Sequence, residues 1–152
     1  MSSPGHPGDG AGPRAAAVAF TALGALHLVW ATGSSWPVSD ADHQDGALSG
    51  RPPGQSPGPV ACVAVAGLLG TAAALVAGDP RSHPRLTRLG SAGIVAAFTT
   101  RGLLGLAGRT DLVAPGATTE RFRTLDRRYY APLCLTLAAL SAPAARRKHY
   151  CL

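Results

Sequence analysis

Leu89 to Gly108 reads LGSAGIVAAFTTRGLLGLAG, an apolar run interrupted by a single charge, Arg101. A helix rises 1.5 Å per residue and needs roughly 20 apolar residues to cross the hydrocarbon of a bilayer. The run is about that long. An arginine at membrane depth costs roughly 2.5–3.5 kcal/mol on insertion scales, so it normally faces protein or water rather than lipid. Three further stretches have the same character: Ala15 to Gly33, Pro59 to Gly78, and the shorter Tyr129 to Ala145. The expected fold is therefore all-α, an integral membrane four-helix bundle.

Composition agrees once it is read by position. Hydrophobic residues make up 46% of the 152, which is unexceptional, but charged residues are only 14%, against roughly 25% in soluble domains. The apolar residues are gathered into blocks, with Pro, Gly and Arg between them. The net charge of +6 raises nucleic acid as a partner. No zinc pattern or RNA-binding motif accompanies it, and the arginines stand mostly at the ends of the apolar blocks. There they fix orientation and meet anionic headgroups. The partner they imply is the lipid bilayer.

Between the blocks, residues 1–14 are Pro/Gly/Ser-rich and are expected to be disordered. Ser34 to Gly58 is an acidic connection followed by a Pro/Gly tract, Asp79 to Arg88 is a short basic loop, and residues 146–152 form a basic tail. With the N-terminus inside, Arg14, Arg81, Arg85, Arg88, Arg146, Arg147 and Lys148 are cytoplasmic. Arg51, Arg109, Arg121, Arg123, Arg127 and Arg128 then lie outside. The denser clusters fall inside, which favours N-in/C-in in a bacterial cytoplasmic membrane. Trp30, Trp36 and Tyr130 sit at span ends, where amphipathic rings anchor at the interface.

Lipid tails remove the hydrophobic drive between helices, so small residues that allow close approach carry the packing. Ala66, Gly70, Ala74 and Gly78 repeat every fourth residue, as do Gly93, Ala97, Arg101 and Gly105. These stripes are expected to meet neighbouring helices. Phe122, Leu125 and Tyr129 share one face at α-helical spacing, reading as a lead-in helix lying in the interface.

On this topology His27 and Arg101 lie roughly 10 Å inside the outer boundary. Asp126, Tyr129 and Cys134 enter the last span at a similar level. An intramembrane polar network of His27, Arg101, Asp126, Tyr129 and Cys134 follows as the candidate site, with Arg101 pairing with Asp126 or a loop carbonyl. A structural ion pair, or Arg101 reaching to the headgroups, explains the same residues. Cys62 and Cys134 leave a disulfide or redox pair open, although neither belongs to a Cys-x-x-Cys pair and lone membrane cysteines act as small apolar residues.

Metal and cofactor chemistry find no support. Asp40, Asp42 and Asp45 invite a calcium reading, but Gln44 takes the third ligand position and Arg51 stands where a bidentate glutamate is needed. His6, His43, His83 and His149 are scattered singly. No Gly-x-Ser-x-Gly, P-loop or dinucleotide fingerprint is present, so no catalytic residue is assigned and no cofactor is expected.

Three stretches carry a resemblance: LHLVWATGSSWP (Leu26 to Pro37), RGLLGL (Arg101 to Leu106) and RRYYAPLCLTLA (Arg127 to Ala138). They resemble a bacterial family known as domain of unknown function 3995. Its members are small four-span membrane proteins with a His-x-x-Trp-Ala-x-Gly element and a Tyr-x-Pro-Leu-Cys element. The resemblance covers most of Ala15 to Ala145 and implies a fold and a location, with no established activity. The Pro/Gly tract GRPPGQSPGP departs from the pattern. The leading functional class is a non-enzymatic accessory or regulatory membrane component, working with another membrane protein or as a homo-oligomer. The alternatives are a subunit of an oligomeric transporter or channel and a small intramembrane enzyme.

Overall fold

A computed structural model describes residues 10–34, 36, 50, 58–78, 84–113, 116 and 119–146. All regular structure among them is helical: α1 (Ala11–Ala31), α2 (Pro59–Ala77), α3 (Pro84–Leu106), α4 (Thr110–Val113) and α5 (Glu120–Leu125). A π-helical turn at Asp126–Tyr130 then leads into α6 (Ala131–Arg146). The acidic stretch at Asp40, the Pro/Gly tract after it, Asp79–His83 and the tail from Arg147 lie outside the described residues.

Three helices, α1, α2 and α3, are long and apolar enough to cross a membrane. Two start earlier than their hydropathy suggests. Helix α1 begins at Ala11, not Ala15, because Pro13 falls in its first turn, where an N–H has no intrahelical partner to lose. Helix α3 begins at Pro84 for the same reason, which draws Arg85 and Arg88 into its first turns. The fourth apolar block is built differently. Helix α6 has 16 residues, fewer than the roughly 20 a crossing needs, but its helical path runs on unbroken from Glu120.

The distribution of side chains is inverted relative to a water-soluble bundle. Val60, Leu89, Leu68 and Val18 are 70% exposed or more, and at most 22% of any long apolar window is buried. The interior is instead lined by Ala16, Ala66, Ala72, Ala73, Ala138 and Ala144, with Ser91 and Ser141 among them. Many large aliphatics turned outward, with small residues at most buried positions beside Phe20, Val76, Phe122 and Leu137, fit a hydrocarbon surrounding, where close backbone approach supplies the packing.

Helix α1 packs along α2, and α3 packs antiparallel along α6. The two pairs are joined through a core of Ala16, Phe20, Ala73, Val76, Leu137 and Ala144. Phe20 is fully buried, and its ring lies 5.2 Å from that of Phe98 on α3. Ser91 ties α3 to α2 by donating its hydroxyl to the Leu75 carbonyl at 3.3 Å.

The small-residue stripes are used only in part: Ala66 on α2 and Arg101 and Gly105 on α3 meet neighbouring helices. Gly70 and Gly93 look onto open space, and Ala74 and Ala97 are exposed. The close approaches are made at Gly24, Gly90, Gly102 and Gly105. In so Ala/Gly-rich a chain, a four-residue repeat occurs on more than one face of a helix. Spacing alone does not select the face that is used.

Candidate functional site

Asp126 is fully buried, an expensive position for a carboxylate unless it is paired and hydrogen-bonded. Both conditions are met. Arg101 reaches across from α3 in a two-pronged contact: Nη2 donates to Oδ1 at 2.5 Å and Nη1 to Oδ2 at 3.3 Å. Thr110, 2% exposed at the start of α4, donates its hydroxyl to Oδ2 at 3.0 Å. The planar guanidinium matches the carboxylate fork, a geometry that lysine does not reproduce.

Two glycines make the contact possible. A Cβ at Gly105 would lie 2.8 Å from Arg101 Nη1, 2.9 Å from Asp126 Oδ2 and 2.8 Å from Ala131 Cβ. At Gly102 it would lie 2.6 Å from Leu135 Cγ and 2.9 Å from the Ala131 carbonyl. Helix α6 therefore rests on a bare strip of α3 backbone, and the ion pair occupies the space that a side chain at Gly105 would take.

The π-helical turn aims the carboxylate. Asp126 and Ala131 both face α3, yet residues five apart on a regular helix of 3.6 residues per turn point about 140° away from each other. Across Asp126–Tyr130 the Ala131 N–H instead bonds back to the Asp126 carbonyl. That wider turn brings the two positions onto one face. Pro132 explains why the helix widens here: it has no N–H to donate, and its ring crowds the carbonyl four residues before it.

The same turn rearranges the aromatic residues. The expected face of Phe122, Leu125 and Tyr129 is not the one used: Phe122 is buried and Leu125 partly buried, while Tyr129 is 55% exposed. Tyr130 takes the place beside Phe122, with ring centroids 5.8 Å apart. Tyr129 points outward with the Arg128 guanidinium 5.7 Å from its ring centre.

Of the candidate network, Arg101 and Asp126 are in contact, and Cys134 is partly buried on α6. His27 is elsewhere. Its Nδ1 pairs with the Leu23 carbonyl of its own helix at 2.8 Å, and its ring meets that of Trp30 edge-on at 4.9 Å. The Trp30 Nε1–H in turn donates to the Trp36 carbonyl at 2.7 Å, closing the end of α1. Neither Cys62 nor Cys134 is in a disulfide. Thr110 and Gly102 carry the site together with the foreseen residues, yet nothing in their local sequence marks them. Both depend on how α3, α4 and α6 meet.

A family described as Protein of unknown function (DUF3995) matches this sequence over residues 20–141. The chain belongs to this family. No curated protein and no solved structure matches it. The matched region takes in the Arg101–Asp126–Thr110 cluster, the π-helical turn, and the His27–Trp30 and Tyr130–Cys134 elements.

Proposed function

We propose that this DUF3995 chain is a multi-pass protein of the bacterial cytoplasmic membrane, without catalytic activity, that acts as an accessory or regulatory component. In this reading it crosses the bilayer four times with both ends inside. The helical path from Glu120 to Arg146 makes the last crossing. Support comes from the antiparallel packing of α6 on α3, since a helix lying flat on the surface would not run alongside a crossing one.

One observation carries the non-enzymatic reading. Asp126, the most deeply buried acid of the candidate site, has its carboxylate occupied by Arg101 and Thr110. A general acid or base must reach the reacting atom, and this one is turned wholly toward its own helices. The cluster serves as a latch that fixes the register of α3 against α6.

Reconstitution tests the proposal. Vesicles containing the wild-type chain are expected to show no proton or anion flux above empty vesicles, while Arg101→Leu lowers the stability of the purified protein. A flux that Arg101→Leu abolished would replace this reading with that of a transporter subunit. Reporter fusions after Ala47 and His83 test the topology, with an external signal expected at Ala47 and an internal one at His83. The reverse pattern would overturn the orientation.

A further inference from the structure

Where α5 and the π-helical turn pass the end of α3, they leave a cleft of about 510 Å³ lined by Gly108, Glu120, Arg123, Thr124, Arg127 and Arg128. Three of its six lining residues are arginines and one is acidic. Glu120 is engaged by Arg123 at 3.3 Å. Among the described residues neither Arg127 nor Arg128 has an acidic partner. Gly108 has a φ of +74°, a conformation suited to glycine, and a side chain there would occupy the position of the Arg127 guanidinium. The bare turn after α3 thus leaves room for Arg127 beside it.

We infer that this cleft binds the phosphate headgroup of an anionic phospholipid. Two arginines without acidic partners supply donors suited to a phosphodiester. The surroundings favour a lipid over a free anion. Leu106, Tyr129 and Leu133, close in sequence to the lining residues Gly108 and Arg128, are each 42% exposed or more. They offer an apolar surface for acyl chains beside the charged site. The aromatic ring of Tyr129 under Arg128 gives that guanidinium a second support.

The inference rests on the chain being embedded in a bilayer, which the first step of the test checks separately. Full-length protein is expressed and fractionated; recovery from the soluble fraction without detergent would count against the membrane reading itself. Membrane-extracted protein is then titrated with phosphatidylglycerol or phosphatidylcholine in mixed micelles. Binding is followed by native mass spectrometry at low and moderate salt. Wild type is expected to prefer phosphatidylglycerol by roughly tenfold or more, and Arg127→Gln/Arg128→Gln to lose most of that preference.

Arg85→Gln/Arg88→Gln removes the same charge from the other end of α3 and is expected to keep the preference. Equal binding of the two lipids by wild type, or an unchanged preference in the cleft variant, would overturn the site. An equal loss in both variants would also overturn it, by showing only a general attraction to basic protein. Millimolar inorganic phosphate is expected to leave the lipid bound; displacement would assign the cleft to a free phosphate instead.

Discussion

Two of the helix contacts among the described residues, α1–α2 and α3–α6, each have a glycine at the contact but differ in the room around it. At the α1–α2 contact a Cβ on Gly24 would lie 3.4 Å from the Ala66 carbonyl oxygen and 3.6 Å from Leu69 Cβ, ordinary van der Waals distances. At the α3–α6 contact a Cβ on Gly105 would come within 2.9 Å of three groups, two of them the charged tips of Arg101 and Asp126. The first crossing has room for a methyl group. The second has none, because a polar pair fills it. Apolar packing tolerates small adjustments of volume, whereas a buried ion pair requires its partners in one geometry. The α3–α6 contact thus constrains register more strictly than the α1–α2 contact.

The largest effect is expected at the ion pair. Arg101→Leu leaves a buried carboxylate with only Thr110 as a donor, and is expected to cost about 3 kcal/mol, measured by reversible unfolding in mixed micelles. Gly105→Ala comes next, at about 2 kcal/mol from overpacking against Arg101, Asp126 and Ala131. A variant as stable as wild type would mean that the strip of α3 beneath α6 is not closed.

Thr110→Val keeps the side-chain shape and removes one donor to a charged oxygen, with an expected loss of about 1 kcal/mol. Smallest of all is Gly24→Ala, expected within about 0.5 kcal/mol of wild type, because the new methyl fits and glycine is a poor helix former. If Gly24→Ala were as damaging as Gly105→Ala, the distinction between the two crossings would disappear.

Much of this was legible in the residues. Apolar length alone places α1, α2 and α3, and a lone arginine in an apolar run points to Arg101 as a residue needing a partner. What the sequence withheld has a common origin. The π-helical turn adds a residue to one turn and so moves the buried aromatic from Tyr129 to Tyr130. A face projected at 3.6 residues per turn goes astray from Asp126 onward. Pro132 was the available sign of that break. The packing faces of α2 and α3 were obscured by the abundance of small residues, and the place of Thr110 depends on a turn after α3 that hydropathy does not register. His27 illustrates the opposite limit: depth along the span suggested a network, but its hydrogen bond stays within its own helix.

A double-mutant cycle on Arg101 and Asp126, in one lipid–detergent mixture, tests the latch most directly. Arg101→Leu, Asp126→Leu and the double variant Arg101→Leu/Asp126→Leu are unfolded side by side with wild type. The account predicts that the double variant loses less than the sum of the two single losses, with a coupling of about 2 kcal/mol, because removing both charges spares the protein an unpaired buried one. Additive losses, with coupling near zero, would show that Arg101 and Asp126 act independently and would contradict the latch between α3 and α6.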